Sequence, residues 1–254
     1  MRTVHVIGIG CGDPDHLTLQ AVRALGGLDV VFVVDKGETT AELTELRHAI
    51  CETHITKPYR TVAIPEQPRD RAAADYAGAV EDWYDARAAV FSAAIAGELG
   101  PDGNGGILVW GDPALFDSTL RVLDRVLAGG GVEFVRNVVP GLSSLQVLAA
   151  RFGITFTGVG EPVHVTTGRR LAAGMPRDLD DVWVMLDGAC AFADLPDEDL
   201  DIYWGAYVGM PDELLVAGDL QDCRGKILEL RAAARRRKGW IMDSYLLRRR
   251  TENG

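Results

Sequence analysis

Two hydrophobic periods take turns along this chain. Residues 4–9 and 30–34 are apolar runs rich in Val and Ile, the first interrupted by His5, the pattern of strands buried on both faces. Between them, Leu17, Ala21, Ala24 and Leu25 fall at helical spacing within residues 16–25. Residues 41–51 read as a second helix, and a short strand at 59–64 precedes the Pro-rich PEQP. Residues 71–99 predict a long helix. Tyr76, Val80, Trp83, Arg87, Phe91 and Ile95 step along it three or four apart, which places its aromatic residues in the core rather than against a ligand. The turn cluster GPDGNGG ends it. Strand 107–110, helix 115–127, strand 132–135 and helix 142–152 complete the first half. Strands that alternate with helices predict a largely parallel sheet.

The period changes after TGVGEP, residues 157–162. Strands are predicted at 163–167, 182–186, 202–208, 213–217 and 240–247, with one basic helix over 221–238. The expected fold class is therefore α/β with two domains. Residues 1–158 form a mostly parallel N-terminal α/β domain, and 162–254 form a strand-rich C-terminal α+β domain with a mixed sheet. A ligand cleft between them is expected, because ligands often bind between domains.

Composition narrows the function classes. The 254 residues are 47% hydrophobic and 25% charged, ordinary for a globular protein with a substantial core. No run is long enough to span a membrane, and the N-terminus lacks the pattern of a targeting peptide. The net charge of −11 argues against a nucleic-acid partner and requires a local basic pocket for any anionic ligand. The basic strings ARRRKGW and LLRRR read as a solvated helix end and a solvated tail. Cys11, Cys51, Cys190 and Cys223 form no CxxC pair, which fits a reducing, cytoplasmic location and no thiolate metal site. The five histidines are scattered, so no metal is expected.

GIGCGD after the first strand resembles a dinucleotide fingerprint, with Asp35 at the end of the next strand. The third fingerprint glycine is replaced by Asp13. Carboxylates at Asp13 and Asp15 repel a pyrophosphate at the helix start. They read instead as caps, with Asp15 capping directly and Pro14 fixing the entry. A nicotinamide oxidoreductase is thus a weak alternative. No P-loop, HExxH or GxSxG string is present.

Three Gly-containing turns, GIGCGDPD, WGDPALFD and VVPGLSS, follow three strands of the first half. In a parallel sheet all three lie at the carboxyl edge, where ligands bind. Each alone is an ordinary βα turn. Together, VIGIGCGDPDHLTLQAVRAL, GDPALF and VPGLSS resemble the signatures of the tetrapyrrole methylase family, S-adenosylmethionine-dependent methyltransferases of a two-domain, non-Rossmann type. The likeness covers nearly the whole chain. Cys11 replaces the usual Pro of the first signature. Asp117-Ser118-Thr119 replaces a Gly-Arg found in several relatives, at a place that faces the substrate trough in the family fold.

The resemblance implies a cofactor, S-adenosylmethionine, with S-adenosylhomocysteine as product. It implies that Gly111 and Asp112 present backbone to the methionine part, on a loop stiffened by Pro113. Leu115, Ser143 and Ser144 line the cofactor as well. Leu186, Ala206 and Tyr207 surround the adenosine, and Cys11 is a neighbour. Trp110 is equally a trough wall or core. Within the family, DKG, TTGRRL, VMLDG, YWGAYVGMPDE and GWIMDSYLLRR are similar to a methyltransferase that acts on C1 of precorrin-5 and releases acetate in cobalamin biosynthesis. A cytoplasmic homodimer without nucleic-acid or membrane partners is implied too.

Methyl transfer from a sulfonium needs positioning rather than a metal or covalent intermediate. Acetate loss requires water to attack a ketone carbon, which calls for a base and for donors to the oxyanion. Asp35 or Asp117 are candidates to activate water. Lys36 is a candidate to stabilise developing negative charge or hold a substrate carboxylate, and Ser118 is a further catalytic candidate by its loop position. Asp117 has an equally available role as a helix cap, and Lys36 as a solvated cation. Arg60, Arg69, Arg71, Arg121, Arg169 and Arg170 are candidates for the many carboxylates of a tetrapyrrole. Another methylase of the same fold, acting on a different precorrin position, a diphthamide precursor or ribosomal RNA, remains open, as does a non-catalytic adenosyl-ligand binder.

Overall fold

The computed structural model describes residues 1–35, 41–70, 73, 75–196 and 199–250. It divides into two compact units, Met1–Gly10 with Pro14–Leu142 and Cys11–Asp13 with Ser143–Gly254.

The first unit holds five parallel strands: β1 (Thr3–Gly8), β2 (Val30–Asp35), β3 (Arg60–Pro65), β4 (Asn104–Val109) and β5 (Val135–Val139), in the order β3-β2-β4-β1-β5. Strand alternation sends successive side chains to opposite faces. Val4, Val6, Phe32, Ile107 and Val109 join one apolar core, against α3 (Tyr76–Glu98) and α4 (Thr119–Ala128). Ile7, Val31 and Leu108 join the other, against α1 (Leu19–Gly26) and α2 (Ala41–His54). Two covered faces explain why β1 and β2 read as mostly apolar runs.

Three expectations shift. β4 begins inside the predicted turn, at Asn104-Gly105-Gly106. A side chain at Gly105 would meet Phe32 at 2.7 Å, and one at Gly106 would meet Leu28 at 2.4 Å, so these glycines make room on the two faces of a central strand. β5 begins at Val135 rather than residue 132, because Val132 and Phe134 are buried without pairing in the sheet. Helix α1 is capped by Thr18, whose hydroxyl accepts from Ala21 N–H at 3.0 Å. The expected cap Asp15 lies in a separate 3-10 turn over Pro14–His16.

The second unit opens with α5 (Ser144–Phe152). Then come β6 (His164–Thr167), α6 (Gly168–Leu171), β7 (Asp181–Met185), β8 (Leu200–Ala206), β9 (Leu214–Asp219), α7 (Leu220–Lys238) and β10 (Asp243–Arg249). Its sheet runs β6-β7-β10-β8-β9, with β6 and β7 parallel and the other pairs antiparallel. The division falls at Leu142 and Ser143, not near residue 158, because α5 packs on the second sheet. Gly205 of β8 leaves the space that Leu148 of α5 occupies; a side chain there would meet it at 2.5 Å.

LLRRR is not a solvated tail. It closes β10, where Arg248 pairs with Asp181 at 2.6 Å and Arg250 with Asp199 at 3.0 Å. The ARRRK string does end a helix, with its cations on the carboxyl terminus of α7 and Gly239 in a left-handed cap at φ 78°.

Candidate functional site

β4, β1 and β5 are neighbours, so the three signature turns leave the sheet side by side at its carboxyl edge. They touch backbone to backbone. Gly10 and Gly111 form an isolated bridge, with Gly111 N–H donating to Gly10 O at 2.8 Å. A Cβ on Gly141 would stand 2.2 Å from Gly111 O, and one on Gly8 would stand 2.6 Å from Gly141 N. Gly8 and Gly141 are thus required by close approach, and Gly111 by its positive φ of 68°.

Asp112 locks this arrangement. Its Oδ1 accepts from Ala114 N–H at 2.8 Å and its Oδ2 from Gly141 N–H at 2.9 Å. A single carboxylate therefore closes its own turn and ties the β4 loop to the β5 loop. Pro113 is buried at the centre of that turn. Trp110 is partly buried and packs against the core on the α1 and α2 side.

Beyond the lock, Phe116 holds a positive φ of 53° with its ring 45% exposed. A bulky residue in the left-handed region is strained, and such strain gathers at functional sites. Asp117, one residue before the N-cap Ser118 of α4, then accepts from Thr119 N–H at 2.6 Å, and its negative charge acts on Arg47 of α2. Arg47 itself donates to the carbonyls of Leu43 at 2.9 Å and Leu108 at 3.3 Å. Ser118 Oγ accepts from the Arg87 guanidinium at 2.6 Å. Asp117 and Ser118 are therefore brought together with two arginines, Arg47 and Arg87, that were not among the sequence candidates. The signal for Arg87 was present: a charged residue on the apolar stripe of a helix.

Asp35 ends β2 at the same carboxyl edge, with its backbone paired to Pro65. Lys36 and Arg71 lie outside the described residues. Arg60 is not at this edge. It begins β3, at the opposite end of the sheet, and pairs with Glu98 at 2.6 Å. Arg121, Arg169 and Arg170 are exposed on α4 and α6.

In the second unit, Ser143 caps α5 through a reciprocal box with Gln146: Ser143 N–H donates to Gln146 Oε1 at 2.9 Å, and Gln146 N–H donates to Ser143 Oγ at 3.4 Å. Ser144 Oγ lies 3.3 Å from Ser244 Oγ. Cys11 is buried, and desolvation pushes its thiol up to about 12, so it is no nucleophile. Leu186 and Tyr207 hold positive φ of 55° and 51°, the same strain as Phe116. Leu186 directs a 65% exposed side chain outward. Ala206 and the Tyr207 ring are buried, and the Tyr207 hydroxyl donates to Trp240 O at 2.7 Å, so this pair offers backbone rather than side chains.

The Leu186 turn is anchored from beneath. Asp187 Oδ2 accepts from the Tyr245 hydroxyl at 2.6 Å and from Ala191 N–H at 2.7 Å. Arg231 donates to Asp187 O and to Asp243 Oδ2, both at 2.8 Å, and Trp204 Nε1–H also reaches Asp243. Burial, then the bond to Asp187, pushes the Tyr245 phenol far up. VMLDG and GWIMDSYLL pointed to these residues only as strings; their meeting across the sheet carries no local signal.

The sequence model for Tetrapyrrole (Corrin/Porphyrin) Methylases matches residues 3–223. A precorrin-6A synthase (deacetylating) from Sinorhizobium sp is 46% identical over 250 residues, which cover 98% of this chain and 96% of that protein. The crystal structure of a cobalamin synthesis related protein (CobF) from Corynebacterium diphtheriae matches with a TM-score of 0.83 and 36% identity, over 98% of both chains. A uroporphyrin-III C-methyltransferase from Thermus thermophilus, solved with S-adenosyl homocysteine, shares the fold at a TM-score of 0.59 and 19% identity, over 96% of both chains.

Proposed function

The chain belongs to the tetrapyrrole (corrin/porphyrin) methylase family, and from that premise we propose that it methylates C1 of precorrin-5 from S-adenosylmethionine, with loss of acetate, in cobalamin biosynthesis. The observation that carries this reading is the likeness to a precorrin-6A synthase (deacetylating) across nearly the full length of both chains.

The residues present fit the cofactor. Three loops of bare backbone meet at the carboxyl edge of a parallel sheet, and two further residues proposed as contacts, Leu186 and Tyr207, adopt conformations that only a specific requirement would maintain. S-adenosylmethionine, when bound, supplies an electrophilic methyl group on a sulfonium. Gly111 and Asp112 offer peptide groups, and Leu115 adds apolar surface beside them. Asp112 holds the loops in place and does not itself act on the methyl group, since both its oxygens accept from backbone. Phe116 presents an exposed apolar ring beside this edge, which excludes water. Ser143 and Ser144 at the start of α5, and Cys11 and Ala206 through backbone, complete the proposed set.

For acetate loss, Asp35 is the proposed base. It ends β2 at the loop edge, whereas the Asp117 carboxylate is already engaged by Thr119 N–H at the start of α4. Ser118 and Lys36 are proposed to face the departing negative charge. A cytoplasmic homodimer with no nucleic-acid or membrane partner completes the reading. The net charge of −11 and the four free cysteines support it, and no described helix is long and apolar enough to cross a membrane.

The test uses S-adenosylmethionine with an isotopically heavy methyl group, precorrin-5 and purified protein, read by mass spectrometry and acetate detection. Heavy methyl gained together with acetate supports the proposal. Methyl gained without acetate removes the deacetylating step, and no methyl gained removes the reaction.

A further inference from the structure

Several arginines in this protein are matched by carboxylates: Arg60 by Glu98, Arg136 by Asp124, Arg231 by Asp243, Arg248 by Asp181. Two at the loop edge of the first unit are not. Arg87 is only 6% exposed. Its guanidinium stands 4.7 Å from the Trp83 ring centroid and 5.8 Å from that of Phe91. Its one hydrogen bond among the described residues goes to a neutral hydroxyl, Ser118. The adjacent carboxylate, Asp117, is turned to Thr119 N–H. Arg69, from the segment between β3 and α3, reaches the same indole at 5.3 Å and donates to the Tyr76 hydroxyl. Its Nε is buried without a partner.

A guanidinium cannot shed its proton to escape burial. Aromatic faces offset part of the penalty, but a buried cation without a counter-charge is unfavourable. Among the described residues, neither guanidinium forms an ion pair with a carboxylate. Side chains on a helix lean toward its N-terminus, so Arg87 leans toward the end of α3 that lies at the loop edge. Ser118 Oγ accepts from Arg87, which leaves its own O–H to donate elsewhere. Arg69, Trp83 and Ser118 are half-buried, so the cluster is open on their side.

We propose that Arg87 and Arg69, across Trp83 and with the Ser118 hydroxyl, form a subsite for one peripheral carboxylate of the substrate; this rests on the tetrapyrrole reading above. A carboxylate supplies the missing charge and matches the guanidinium fork.

The experiment measures precorrin-5 affinity by tryptophan fluorescence under anaerobic conditions, with S-adenosylhomocysteine affinity by calorimetry and thermal midpoints in parallel. Arg87→Gln is expected to weaken precorrin-5 binding about tenfold or more, the effect of one lost charge-assisted contact. Arg87→Lys recovers only part of it, because a point charge does not reproduce the fork. Arg69→Gln, at a half-buried position, gives a smaller loss in the same direction. Cofactor-product affinity stays within about twofold, and the Arg87→Gln midpoint does not fall, since an unmatched buried charge has been removed. A structural brace for α4 would instead lower the midpoint and both affinities together, and that result overturns the subsite. An active wild type matched in precorrin-5 affinity by both Gln variants overturns the subsite alone. A wild type that neither binds nor methylates precorrin-5 overturns the substrate reading and the subsite with it.

Discussion

Asp112 is the residue whose replacement tests the loop architecture most directly. Its carboxylate accepts two backbone N–H groups, Ala114 at 2.8 Å and Gly141 at 2.9 Å, on two different loops. Asp112→Asn keeps shape and volume but has one acceptor oxygen. Whichever N–H keeps the oxygen, the other faces an NH2 group and is left unsatisfied. A hydrogen bond to a charged acceptor contributes about 1.5–3 kcal/mol, and a stranded donor in a partly buried site adds about 1 kcal/mol more. With Asp112 half-buried, the expected loss is about 2–4 kcal/mol. For a chain of this size that lowers the midpoint of the transition by ~5–10 °C. Asp112→Ala removes both bonds and loses at least as much. The assay is thermal and urea unfolding of the two variants, with S-adenosylhomocysteine titrated into each. Affinity should fall along with stability, because the peptide groups proposed to hold the cofactor are no longer fixed. If Asp112→Asn unfolds with the wild type and only turnover is lost, Asp112 acts on the reacting groups and the account of it as a tie is wrong.

Three other outcomes are expected. Tyr245→Phe leaves buried Asp187 with only the Ala191 amide on Oδ2, and should destabilise by about 2 kcal/mol in denaturant titrations; a loss under about 0.5 kcal/mol would show that the network adds little. Leu186→Gly removes a strained φ of 55° from an exposed side chain, so the thermal midpoint should hold or rise while S-adenosylhomocysteine binds several-fold more weakly; a fall in the midpoint would mean that the side chain supports the fold. Burial holds the His5 imidazole below its ordinary value, so the unfolded chain takes up a proton near pH ~6.5 that the folded chain resists. Stability from this source is complete above that pH and is lost as pH falls through the folded value; His5→Gln should flatten the acid limb of a midpoint-against-pH curve, and an unchanged limb would assign it to other groups.

Much of this protein was determined by sequence alone, wherever a signal is local. Apolar runs marked β1 and β2 because a doubly covered strand admits little else. The periods of α3 and α7 marked helices, and three short strings marked the loops, since a turn needs particular residues at particular places. Local signals misled where burial and pairing separate, as at Val132 and Phe134, and where glycine makes room rather than turns, as at Gly105 and Gly106. Only the tertiary structure decided which charges meet. Asp112 reads only as one residue of a cofactor loop until its carboxylate is seen to tie Gly141, 29 residues on. Arg87 reads as one more helix residue until Ser118 and the absence of a paired carboxylate set it apart. Asp187, Arg231, Asp243 and Tyr245 become a network only when the β-sheet brings them together. Hydrophobic burial is written residue by residue into a chain, but an ion or a hydrogen bond is defined by its partner, and the partner is chosen by the fold.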